Sequence, residues 1–165
     1  MEVKDVYQRL EEQFPGKVGN FKGDVPEPYC SVDPQAIVEI SRFLRDDSRL
    51  KFEVLSDLTA LDWPKEEKIQ VVYHLYSYSN KSQIVLKVDL PRDNPIIPTL
   101  EEVWKVANWF EREVFDLFGV TFAFQIAPLG VQFLGNCAAM TGGRWFKTLG
   151  SGHSSRGNSH RIPNT

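Results

Sequence analysis

Between Phe52 and Leu90 the apolar residues change their spacing from about every 3.6 positions to every second one, which confines the middle of the chain to extended strands. Phe52, Val54, Leu58 and Ala60 share one side of a first run. Ile69, Val71, Tyr73 and Leu75 share one side of a second, and Ile84, Leu86, Val88 and Leu90 one side of a third. The connections, Pro64 to Lys68 and Ser79-Asn80-Lys81-Ser82, are too short for a crossover helix, so the three strands must run antiparallel as a meander. The expected class is α+β: a three-stranded antiparallel meander, open to extension by short N-terminal strands, packed against two or three helices.

The helices flank that meander. Val3, Val6, Tyr7, Leu10 and Phe14 recur at helical spacing until Pro15-Gly16 stops the pattern. A Gly- and Pro-rich stretch from Gly16 to Pro28 reads as loop. Tyr29 to Val32 is a short apolar run, and Asp33-Pro34 caps a second helix whose apolar face carries Ile37, Ile40, Ser41 and Leu44 and which ends near Leu50. Past the strands, Pro91 to Pro98 forms a rigid connector, because its prolines withdraw backbone donors. Thr99, with Glu102 three residues on, reads as the capping box of a third helix, and Gly119 as its left-handed C-terminal cap. On a helical wheel Val103, Ala107, Phe110, Val114 and Leu117 form one stripe and Lys105, Arg112 and Asp116 lie opposite. Glu111 falls at the edge of the stripe.

The 165 residues suffice for one domain, expected over residues 1–124. Residues 125–165 lack periodicity and end in a Gly/Ser-rich composition, so a largely disordered, atypical tail is expected there, most clearly from Leu149 onward. Nineteen basic against 22 acidic side chains provide no field that would draw the chain onto nucleic acid. No apolar run is long enough to span a bilayer and no targeting segment is legible at the N-terminus, so a protein made and kept in the cytosol, without direct membrane insertion, is expected. Cys30 and Cys137 stand far apart, and His74, His153 and His160 have no ligand spacing, so neither a metal nor an iron–sulfur cluster is expected within the chain.

The densest charge on an ordered element is Glu111-Arg112-Glu113-Val114-Phe115-Asp116-Leu117-Phe118-Gly119. Glu111, Glu113 and Asp116 invite an acid/base reading, since burial can drive carboxyl pKa values apart. The plainer reading is a solvated helix face with local ion pairs, Arg112 and Asp116 among them. Glu113 and Asp116 nevertheless place negative charge at the helix end where the macrodipole disfavours it, by about 0.3 to 1 kcal/mol each. A partner surface would supply the missing cation. On the second strand, His74, Tyr76 and Tyr78 share a face with Gln70 and Val72, as a half-wet binding face or as cross-strand packing.

These segments together carry a resemblance. Phe43 to Asp47, Leu55 to Asp62, Val72 to Ser77, Arg92-Asp93-Asn94-Pro95-Ile96-Ile97-Pro98, Trp104, Ala107-Asn108-Trp109-Phe110 and the Glu111 to Gly119 run resemble one family of respiratory-complex proteins. It is the family of the C subunit, also called the thirty-kilodalton subunit, of respiratory NADH:quinone oxidoreductase, complex I. The likeness spans roughly residues 31–122. It marks Arg92, Asn94, Pro95, Pro98, Trp109, Glu111, Arg112, Glu113, Asp116 and Gly119 as family-motif and partner-docking positions. It implies a non-catalytic scaffold subunit of a proton-translocating complex, docked beside the D (forty-nine-kilodalton) subunit near the quinone module. Such a subunit binds no cofactor: flavin, iron–sulfur clusters, NADH and quinone belong to partner subunits. It would be soluble alone and peripheral on the cytoplasmic side of the bacterial inner membrane within the complex. After Phe122 the chain departs from the family, with Ala123-Phe124-Gln125-Ile126 where the family carries a His-Pro pair.

Three rival readings remain on these residues. One is the equivalent subunit of a related membrane-bound hydrogenase or quinone-reducing dehydrogenase. The second is a free-standing acid/base enzyme using Glu111, Glu113 and Asp116, which requires a concave pocket over the third helix. The third is a module that self-associates through the Tyr76 strand.

Overall fold

The computed structural model describes residues 3–125 and 131–132. Helix α1 (Val3–Gln13) is followed by β1 (Val18–Lys22) and β2 (Tyr29–Val32). A 3-10 turn at Pro34–Ala36 leads into α2 (Ile37–Asp46), and then come the long strands β3 (Val54–Trp63), β4 (Lys68–Ser77) and β5 (Ser82–Pro91). β6 (Ile96–Pro98), α3 (Ala107–Phe118), β7 (Thr121–Gln125) and β8 (Val131–Gln132) complete the described part. Mixed α and β content with an antiparallel meander is what the periodicity requires.

The meander is the centre of a five-stranded sheet in the order β1-β2-β5-β4-β3. β3–β4 and β4–β5 are antiparallel, and the turns between them use left-handed residues, Glu67 at φ 51° and Lys81 at φ 48°. The stretch from Gly16 to Pro28 is not all loop: β1 lies within it and pairs antiparallel with β2 through an irregular register. β2 in turn joins β5 in parallel, Tyr29 opposite Val85 and Ser31 opposite Lys87. The sheet is therefore mixed, with the N-terminal hairpin added to the outer edge of the meander.

One face of the sheet makes the core. Cys30, Val71, Tyr73, Leu75, Ile84, Leu86 and Val88 are buried in one cluster with Val6 and Leu10 of α1, Ile37, Ile40 and Leu44 of α2, and Ala107 and Val114 of α3. In β3 the alternation breaks. A bulge between Leu55 and Asp57 turns the strand, so Leu55 and Leu58 are both buried while Val54 is only half-buried. Phe52 precedes the strand rather than belonging to it, and its buried carbonyl accepts the indole N–H of Trp104 at 3.3 Å.

The connector into α3 also differs from its expected form. Thr99 continues the pairing that β6 makes with β7, its N–H donating to the carbonyl of Ala123 at 2.8 Å, so that N–H is not left for Glu102 to accept in a capping box. Turns occupy the following residues, with Leu100, Val103 and Trp104 buried, and α3 begins at Ala107 with no side-chain cap. Glu102, free of a capping role, pairs with Arg42 at 2.7 Å, while Arg45 donates to the carbonyl of Val103 at 2.6 Å. Thus α2 holds the connector by two arginines. The C-terminal end is as expected: Gly119 sits at φ 71°, and its N–H closes on the carbonyl of Phe115. The stretch expected to be disordered from Leu149 onward lies outside the described residues.

Candidate functional site

α3 sorts the family-motif residues onto two faces. Ala107, Glu111 and Val114 are buried and Phe110 and Phe118 half-buried, whereas Leu117, expected in the apolar stripe, points to solvent. Glu111 lies within the buried face rather than at its edge. That carboxyl is 6% exposed. Its two oxygens accept from the Thr99 hydroxyl at 2.6 Å and from the Leu100 N–H at 2.7 Å. Burial raises it to about 7, against these two hydrogen bonds, which favour the ionised form. Glu111 is thus the clasp between α3 and its own connector. Beneath it, Tyr73 is fully enclosed, its hydroxyl has no partner, and its phenol is raised by burial first and by the charge of Glu111 second.

The opposite face is wet. Trp109 is 71% exposed and Leu117 69%, with Glu113 and Asp116 exposed between them. The expected Arg112–Asp116 pair does not form. Arg112 lies over the ring of Trp109, 5.5 Å from its centre, where a cation meets the negative face of the indole. Among the described residues neither Glu113 nor Asp116 has an ion-pair partner, and the last turn of α3 contains no basic residue. The three carboxylates therefore do not converge. Glu111 faces the core and the other two face water. Neither the groove on the large sheet nor the cleft beside α1 is lined by any of them.

The connector residues divide similarly. Arg92 is exposed and forks onto Asp62 of β3 at 2.8 and 3.0 Å, which holds the Asp62 carboxyl below its ordinary range through hydrogen bonding. Asn94 is exposed. Pro95 gives its carbonyl to the N–H of Thr121, and Pro98 is buried in β6. These prolines therefore build a strand that sets the height of α3 against the sheet. On the face of the large sheet opposite the helices lies a groove of about 230 Å³, lined by Tyr29, Thr59, Leu61, His74 and Lys87 among others. The Lys87 ammonium lies 3.7 Å from the centre of the Tyr29 ring. Tyr76 and Tyr78 meet edge to face at 5.1 Å, a contact along one strand rather than across two, and Tyr78 remains exposed.

The profile of a family described as respiratory-chain NADH dehydrogenase, 30 Kd subunit, matches residues 30–125. The chain belongs to that family. It is 41% identical over 121 residues to the C subunit of NADH-quinone oxidoreductase from Roseiflexus sp. (strain RS-1), spanning 71% of this chain and 68% of that relative. Among solved structures, the trypsin-resistant fragment of Nqo5 is 25% identical with a TM-score of 0.60, covering 74% of this chain and 96% of the fragment. A chain of the membrane-bound sulfane sulfur reductase, an archaeal respiratory membrane complex, is 26% identical with a TM-score of 0.64, covering 74% of this chain and 71% of that one. The matched region contains every motif residue from Arg92 to Gly119. The profile match excludes α1 and β1.

The partners of these motif residues were not legible beforehand. Thr99 is read from sequence as a helix cap, yet it is a donor to Glu111; Asp62 bears no signal that it would meet Arg92. Among the described residues no group of three or more His, Cys, Asp or Glu is placed to hold a metal, and no helix is long and apolar enough to cross a membrane.

Proposed function

We propose that this chain is a scaffold subunit of a proton-translocating NADH:quinone oxidoreductase, docking beside the D (forty-nine-kilodalton) subunit through the outer face of α3. The redox groups reside in neighbouring subunits, and the assembly stands on the cytoplasmic side of the membrane. The observation that carries the reading is the wet face of α3: two large apolar side chains, about seven-tenths exposed, flank carboxylates at the negative end of a helix. Alone, that face is unfavourable. Against a partner that offers a hydrophobic hollow and a cation, both defects are relieved together.

The likeness to the sulfane sulfur reductase chain supports a second reading, in which the subunit serves a different respiratory complex. The higher identity to the NADH-quinone oxidoreductase relatives favours the NADH:quinone assignment. The test is to tag the chain in its native host and isolate what assembles with it. An assembly containing flavin, iron–sulfur clusters and the D subunit is expected. Trp109→Ser with Asp116→Lys should abolish that assembly without lowering the melting temperature of the chain. If the variant assembles normally yet loses most of its NADH:quinone turnover, the scaffold role is wrong and a direct catalytic role replaces it.

A further inference from the structure

The large sheet has two outer strands, β1 and β3, and they are finished differently. β1 is blunt: it has five residues, an irregular register, Asn20 in the left-handed region at φ 47° and Lys22 at its end. Such features keep an edge from pairing with another chain. β3 lacks most of them. Its ten residues include no lysine, arginine, proline or glycine, and beyond the bulge after Leu55 it runs in unbroken register with β4 from Asp57 to Trp63. Among the described residues β3 makes no backbone hydrogen bond except to β4, so every second amide and carbonyl, those on its other side, lacks a partner there. Strand parity sorts the side chains. Leu58 and Ala60 are buried in the core cluster, whereas Asp57, Thr59, Leu61 and Trp63 share the opposite face, where Leu61 and Trp63 are each 43% exposed. Asp57 is exposed and has no ion-pair partner among the described residues, while Asp62 is taken by Arg92.

We infer that the outer edge of β3 accepts an extended, basic segment of a neighbouring subunit as a further strand of the sheet. The inference rests on the subunit reading above. Main-chain hydrogen bonds along the edge hold the segment, and its side chains on the outer face set a lysine or arginine beside Asp57 and apolar groups beside Leu61 and Trp63. Charge selects this occupant over a second copy of the chain. A second β3 would bring a further Asp57 and Asp62 to the same ladder, and the strand contains no cation of its own to offset them. The edge also adjoins the α3 surface, because α3 packs on β3, so one neighbour can cover both.

The test is amide hydrogen exchange, read by mass over peptides from β3 and from α3, in the isolated chain and in the assembly recovered from the native host. In the isolated chain the outward amides between Asp57 and Trp63, about three of them, should exchange quickly. In the assembly they should become about a hundredfold slower. Asp57→Lys should lower the yield of assembly about tenfold without lowering the melting temperature of the chain, since Asp57 holds no ion pair within it. Outward amides that are already slow in the isolated chain would overturn the inference, because the chain itself, in one copy or two, then covers the edge. Normal assembly of Asp57→Lys would overturn it as well. So would outward amides that stay fast in an assembly whose α3 has become slow, an outcome that leaves the scaffold reading intact; recovery of no assembly at all overturns both.

Discussion

Glu111 makes the stability of this protein depend on pH in an unusual direction. Its carboxyl ionises near 4.5 when exposed and is raised to about 7 in the folded chain, chiefly by burial. Below pH 4.5 both folded and unfolded forms hold the proton, and the group contributes no difference. Between 4.5 and 7 the unfolded chain ionises while the folded one does not, so the folded state loses ground; above 7 the loss is complete. A separation of this size corresponds to about 3 kcal/mol at roughly 1.4 kcal/mol per unit. The exposed carboxylates Glu53 and Asp62, held low by hydrogen bonds from Ser79 and Arg92, act the opposite way and at lower pH. The comparison that isolates Glu111 is Glu111→Gln, which keeps the shape, accepts from Leu100, and donates to Thr99 in place of accepting. Urea unfolding of both proteins from pH 4 to 8.5 should give a difference curve that moves by about 3 kcal/mol in favour of the glutamine variant as pH rises. A flat difference curve, or one that favours wild type as pH rises, would refute the reasoning.

Three further outcomes follow from single features. Gly119→Ala should cost about 1 kcal/mol, read as a lower urea midpoint: the left-handed backbone penalises a side chain although no atom lies within 4 Å of where it would stand. Tyr73→Phe should stabilise the chain by about 1 kcal/mol in the same assay, because the hydroxyl it removes is buried and unpartnered. Cys30, its thiol pushed up to about 12 by burial, should resist alkylation at pH 8 in a Cys137→Ser background and react at once in urea, as a mass measurement will record.

The meander was legible because a two-residue period leaves little choice: short turns fix its antiparallel sense, and Gly119 fixes where α3 stops. The start of α3 was not legible, because Thr99 and Glu102 satisfy the capping pattern locally while tertiary partners, Ala123, Glu111 and Arg42, claim the same atoms. The later start takes Val103 off the helix and leaves Thr99 in the connector, where its hydroxyl meets Glu111. β1 hid in a stretch whose glycines and prolines read as loop, and its pairing with β2 depends on residues that carry no strand period of their own. Parallel addition of β2 to β5 is a long-range choice that no local pattern encodes.

That parallel pairing also sets an order of events at the ribosome. Tyr29 is synthesised early, but its neighbour Val85 emerges only after roughly fifty more residues, a delay of several seconds at about 5 to 20 residues per second. Throughout that interval α1 and the N-terminal hairpin have no sheet edge to join, so the apolar side chains of Val6, Leu10, Cys30 and Val32 wait uncovered. The hairpins β3–β4 and β4–β5, made of near neighbours in the chain, close as soon as they appear. The first thirty or so residues are thus the last to find their place in the large sheet and the natural substrate for a holding chaperone during synthesis.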